Sequence, residues 1–169
     1  MQKKTGTFPL WLGRILRRRP DAAAVLHGSP RLPELRGTVR FYQTGAGVLV
    51  AAEVLGLPKR STLCSGGIFA FHIHEGGECG TADIRAADPF PGTSSHYNPG
   101  GCPHPGHAGD LPPLFGNAGY AVSVFLTDRF TVSDIVGRTA VIHERPDDFM
   151  TQPAGGSGRK IACGEIRRA

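Results

Sequence analysis

Phe69-Ala70-Phe71-His72-Ile73-His74 alternates apolar and other residues without a break. On an extended strand, residues two apart share a face. Phe69, Phe71 and Ile73 therefore point one way, and Ala70, His72 and His74 the other. The first set is a core face; the second stands two imidazoles side by side on the strand's back. A period of two, rather than the 3.6 of a helix, makes this region β.

Similar short runs lie on either side. Segments 22–27, 35–44, 47–57, 68–75, 120–127, 130–135, 139–144 and 160–166 read as eight strands, and Gln43-Thr44-Gly45-Ala46-Gly47 as a hairpin turn. The 24 Gly and 14 Pro supply many turns, and 169 residues suffice for one core but not comfortably for two. The expectation is an all-β domain over 21–169, an eight-stranded antiparallel Greek-key sandwich or flattened barrel. No internal repeat is visible. Two long stretches, 76–119 and 145–159, resist strand assignment, and loops of that length in a compact domain are usually functional.

Residues 1–20 form a basic leader. Lys3, Lys4, Arg14, Arg17, Arg18 and Arg19 meet no acid there, so the formal charge of +5 belongs to the leader and the body is near neutral. The body lacks the arginine and aromatic interleaving of a nucleic-acid binder. Phe8 to Leu12 is too short an apolar stretch for an export signal, and Leu12, Ile15 and Leu16 fall at helical spacing. A short amphipathic turn that docks on the body is preferred to a membrane-surface role. No run of about 18 apolar residues exists to span a membrane.

Six of the 7 histidines fall in four motifs: His72 and His74 as above, Ser95-His96-Tyr97-Asn98-Pro99, His104-Pro105-Gly106-His107-Ala108-Gly109-Asp110, and Val141-Ile142-His143-Glu144. A lone His-x-His pair arises by chance on surface strands. Six histidines in Gly- and Pro-rich surroundings, with nothing else to order them, point to metal, because neutral imidazole is the commonest nitrogen ligand of copper and zinc.

The motifs FAFHIHEGGEC, SSHYNPGG, HAGDLP, AVIHERPDD and KIACGEI, in that order and spacing, resemble the copper/zinc superoxide dismutases over roughly 22–166, and the short-looped bacterial branch in particular. The resemblance implies that His72, His74, His96 and His143 ligate copper, and that His96, His104, His107 and Asp110 ligate zinc, with His96 shared as bridge and proton relay. It implies that Asp147 links His72 to His104, that Cys79 pairs with Cys163, and that Lys160 stands where the family usually has an anion-guiding arginine. On strand alternation Arg159 faces the other way. The implied substrate is the superoxide anion and the implied cofactors are copper and zinc.

Four cysteines permit three fully paired connectivities. Cys64 and Cys102 have no counterpart in the resemblance; a second disulfide, two free thiols, or Cys102 as a stray zinc ligand all stay open. A disulfide suits an oxidising compartment, whereas the lack of a convincing signal favours the cytoplasm, with export as the alternative. Only Pro105 and Gly106 separate His104 from His107, where most members have a longer insertion, so distortion of the zinc site is expected. The rival readings are a copper or zinc carrier of the same fold without significant turnover, and a zinc-only hydrolase, which would need an open zinc position. A homodimer is left open.

Overall fold

The computed structural model describes residues 10–59, 62 and 66–169. Much of the export-signal reading, and Cys64, lie outside them. Eight strands run in the order β1 (Ala22–Gly28), β2 (Arg36–Thr44), β3 (Gly47–Leu55), β4 (Ile68–His74), β5 (Asp110–Phe115), β6 (Tyr120–Thr127), β7 (Thr139–His143) and β8 (Lys160–Arg168). Two helices join them: α1 (Leu10–Arg17) and α2 (Val132–Ile135). No helix among the described residues is long and apolar enough to cross a membrane.

All pairings are antiparallel, in one sheet of order β5-β4-β7-β8-β1-β2-β3-β6. The β3 to β6 and β4 to β7 neighbours require Greek-key crossovers. The two end strands, β5 and β6, lie against each other, so the sheet is a nearly closed barrel. Its interior is one apolar cluster that includes Leu26, Val39, Phe41, Val50, Phe71, Ile73, Ile142 and Ile166. Each such side chain contributes about 1.5–3 kcal/mol by leaving water.

Phe69, Phe71 and Ile73 do enter this core, but the opposite face of β4 is buried as well, with His72 at 0% and His74 at 2% exposure. The two long loops cover it. Cys79 is bonded to Cys163 across 84 residues, fastening the first loop to β8. On the chain-entropy account such a closure stabilises by roughly 4–5 kcal/mol.

Two expectations fail. Segment 130–135 is not a strand: it contains α2, whose N-cap Thr131 forms a capping box with Asp134. The T-x-x-D signature is present in the sequence and outweighs the β-branched composition. Conversely, β5 lies within the stretch taken as loop. Its Pro112 and Pro113 cannot donate to a ladder, so they are tolerated only on an edge strand or at an irregularity. Here they sit at both: β5 ends the sheet, and its register with β4 shifts between Phe69 and Phe71. The Ala70 N–H donates instead to the Arg145 carbonyl (2.8 Å).

Candidate metal centre

Two strands and one loop deliver the histidines. β4 presents His72 and His74, and the end of β7 presents His143. His96 follows the single turn Pro91–Thr93 and Ser94, and pairs with His74 as an isolated bridge. The loop is laid onto the barrel through Tyr97 N to Ile73 O (2.8 Å), Ile73 N to Gly109 O (2.9 Å) and Gly109 N to Tyr97 O (2.8 Å). That approach requires glycine at 109, where a Cβ would stand 2.2 Å from the Ile73 carbonyl.

Four of the six rings each spend one nitrogen on a protein acceptor. His74 Nδ1 donates to Ser94 O (2.9 Å) and His143 Nδ1 to Gly158 O (3.2 Å). His72 Nε2 donates to Asp147 Oδ2 (2.9 Å), and His104 Nε2 to Asp147 Oδ1 (2.8 Å). These acceptors fix the tautomers and leave the opposite nitrogens as lone pairs. His74 Nε2 and His143 Nε2 then face each other at 3.2 Å, two acceptors with no proton between them. His72 Nδ1, His96 Nε2 and His104 Nδ1 are buried without a hydrogen-bond partner. Such a concentration of buried lone pairs costs free energy unless a cation satisfies it.

The lone pairs fall into two sets. His72, His74, His96 and His143 form one; His96, His104, His107 and Asp110 form the other; within each, the ligating atoms lie within 4.8 Å of one another. His96 belongs to both. Its Nδ1 lies 2.8 Å from Asp110 Oδ1 and 3.4 Å from His107 Nδ1. His104 Nδ1 lies 3.0 Å from Asp110 Oδ2 yet off the line of a hydrogen bond, as two ligands of one ion would. The donor sets fit the metals: four imidazole nitrogens suit copper, and three with one carboxylate make a closed tetrahedral set for zinc.

Electrostatics agree. Burial, and then the neighbouring His143, hold His74 well below the ordinary imidazole range; burial likewise lowers His72, and lowers His143 to about 3. All three are neutral, the ligating form. Burial alone would raise Asp110, but the His96 hydrogen bond and nearby imidazoles keep it below the usual carboxylate range. Asp147 is likewise lowered against burial, by its bonds from His72, the Phe149 amide and His104.

The family model for copper/zinc superoxide dismutase matches residues 35–166. The chain belongs to the copper/zinc superoxide dismutase family. It is 35% identical over 149 residues to "Superoxide dismutase [Cu-Zn] 2" of Aquifex aeolicus, covering 79% of this chain and 80% of that one. Over 151 residues it is 33% identical to "Superoxide dismutase [Cu-Zn]" of Legionella pneumophila, covering 87% of each. In fold it is similar to the Cu/Zn superoxide dismutase from Brucella abortus, with a TM-score of 0.70 at 23% identity, covering 85% of this chain and 98% of that one. Copper and zinc are its cofactors, and dismutation of superoxide to oxygen and hydrogen peroxide is its activity.

In this dismutase the tight His104 to His107 spacing leaves both rings in one cluster, 5.4 Å between centroids, across a turn closed by Gly106 N to Pro103 O (2.7 Å). Cys102 is exposed and free, and stands outside both ligand sets. A cavity of about 650 Å³ opens onto His74, His96, His107 and His143, with Lys160 and Arg145 on its wall. Lys160 Nζ donates to Asp88 Oδ2 (2.6 Å) and to Phe90 O (3.2 Å). Arg159 instead reaches the Ala86 carbonyl (2.7 Å). Sequence reasoning singled out neither Asp88 nor Arg145. Asp88 is 72 positions from Lys160 in a loop without periodicity, and no local signal pairs them.

Proposed function

We propose that the two clusters divide the metals: His72, His74, His96 and His143 hold copper, His96, His104, His107 and Asp110 hold zinc, and His96 bridges them. The observation that carries this is the sharing of His96 between two buried four-ligand sets. When bound, copper supplies a one-electron couple that alternately oxidises and reduces superoxide, and zinc supplies a fixed positive charge.

The protein does the rest. Asp147 holds His72 and His104 in register through its two oxygens, so the sites are oriented by one carboxylate. The loops cover the imidazoles and exclude water from all but the cavity side. His96 Nε2, a buried lone pair without a protein partner, is the atom that can hold a proton between the two half-reactions. Two protons are consumed per pair of superoxides, and hydrogen peroxide leaves through the cavity.

Lys160 and Arg145 form the cationic wall that draws in the anion. Lys160 acts with its charge partly offset by Asp88, whereas Arg145 makes no ion pair among the described residues. Superoxide dismutase is itself a standard illustration of such steering.

A second copy of the chain is the partner proposed for the outer face of β6, where Tyr120, Val122, Val124 and Leu126 are 40–58% exposed in one stripe. Sedimentation of Val124→Glu against the unaltered chain tests this dimer.

The test of the bridged reading is His96→Ala. It should leave two half-sites of three ligands each, lose paired metal binding and lose most turnover. Normal turnover in that variant would overturn the assignment. The carrier reading has no observation of its own in its favour, and the closed zinc set argues against a hydrolase.

A further inference from the structure

The segment carrying His104, His107 and Asp110 has no apolar core of its own, so its backbone must be held by other means. Asn98 Nδ2 reaches Cys102 O (2.8 Å), and Gln152 brackets His104 through both its amide (3.0 Å) and carbonyl (2.7 Å). A further hold comes from across the seam between β5 and β6. The two N–H groups of Arg129 Nη1 are shared among Pro105 O (3.2 Å), His107 O (3.1 Å) and Asp110 O (3.2 Å).

Arg129 stands between β6 and α2, at one end of the sheet, whereas the three carbonyls lead into β5 at the other end. Its own backbone is anchored on both sides. Arg129 N meets Thr127 Oγ1 (3.3 Å), Phe130 is buried, Thr131 and Asp134 cap α2, and Val132 N meets Gln43 Oε1 (2.9 Å). A fixed platform thus aims a cation at three carbonyls, which converge only when the segment is folded as the cluster needs it.

We infer that Arg129 is a positioning residue for the zinc cluster, fastening the backbone of His107 and Asp110 across the seam of the barrel. The inference rests on reading that cluster as the zinc site. Arg129 lies outside the ligand sets and acts through the carbonyls alone. All three contacts run from one nitrogen, so lysine would keep the charge but not the guanidinium's fixed placement of that nitrogen.

The test uses cobalt(II) as a spectroscopic substitute for zinc in the full-length metal-free protein, titrated against a competing chelator. Arg129→Gln is compared with the unaltered chain, Arg129→Lys and Arg31→Gln. Arg31 is the control because its Nε also holds a carbonyl of the first long loop, that of Ile84 (3.0 Å), away from the cluster. Arg129→Gln should weaken cobalt about 10-fold, at the lower end of effects seen for groups that orient metal ligands. Copper affinity at the other cluster should hold, and the Asp110 amide should exchange faster. Arg129→Lys should fall between, and Arg31→Gln should match the unaltered chain.

Equal cobalt affinity in Arg129→Gln and the unaltered chain would overturn the inference while leaving the zinc reading intact. Equal weakening in Arg31→Gln, or equal loss of copper, would overturn it as general loosening. Absence of tetrahedral cobalt absorption in the unaltered chain would overturn the zinc reading and the inference together.

Discussion

Asp147 does the work of two residues. Its oxygens accept hydrogen bonds from one ring of each cluster, His72 at 2.9 Å and His104 at 2.8 Å, so removing its charge should loosen both sites at once. Asp147→Asn should lower affinity for both metals roughly 10- to 100-fold, measured by chelator competition. Gly155 guards this link. It has a positive φ of 65°, and a Cβ there would stand 1.9 Å from Asp147 Oδ1 and 2.7 Å from His104 Nε2. Gly155→Ala should therefore approach the Asp147→Asn phenotype without altering a ligand. The buried imidazoles also set a pH dependence. His72, His74 and His143 titrate below 6.5 when folded, so below that pH the unfolded chain binds more protons. Metal-free protein should keep this stability above about pH 6.5 and lose it progressively as pH falls towards about 3, where His143 itself protonates. Urea midpoints across that range measure it, and a midpoint that rises on acidification would contradict the neutral assignment.

At the scale of elements, β4 joins core to site: Phe71 is wholly buried in the barrel while its neighbour His72 is wholly buried in the metal layer. Phe71→Ala should cost about 3–5 kcal/mol in global stability, read from denaturant unfolding. The covering loop is ordered differently. With metals removed and the Cys79–Cys163 bond reduced, residues 76–109 should exchange amide hydrogens before β1, β2 and β3 do, because ligands and the disulfide stand in for a core. Equal protection of that loop with and without metal would contradict this. The strands that carry core residues are legible in the sequence because alternation is a consequence of burial on one face. β5 is not, because Pro112 and Pro113 speak against a strand, and only its edge position permits them. The short helix α2 hides behind β-branched residues, and only its capping box reveals it. The grouping of the histidines is legible in the motifs. The contacts of Arg129 with the Pro105, His107 and Asp110 carbonyls, and of Lys160 with Asp88, join positions too far apart in the chain for any local pattern to announce.

For the molecule as a whole, charge decides delivery of the substrate. The excess of bases lies in the first twenty residues, and the body is near neutral, so on the proposed reading attraction of superoxide would depend on the local cations Arg145 and Lys160 at the cavity. Turnover should fall as salt rises and screening shortens the reach of these charges to roughly 8 Å at physiological ionic strength. Lys160→Glu should slow turnover and invert that trend, whereas Asp88→Asn, by releasing Lys160, should raise the rate at low salt. An unchanged salt response in both variants would remove Lys160 from guidance. The most direct test of the account is superoxide decay after pulse radiolysis of the full-length chain loaded with one copper and one zinc. The account predicts catalytic decay, many superoxides per copper, with a second-order constant nearing the diffusional range of roughly 10⁸–10⁹ M⁻¹s⁻¹. Consumption that stops near one superoxide per copper would contradict it.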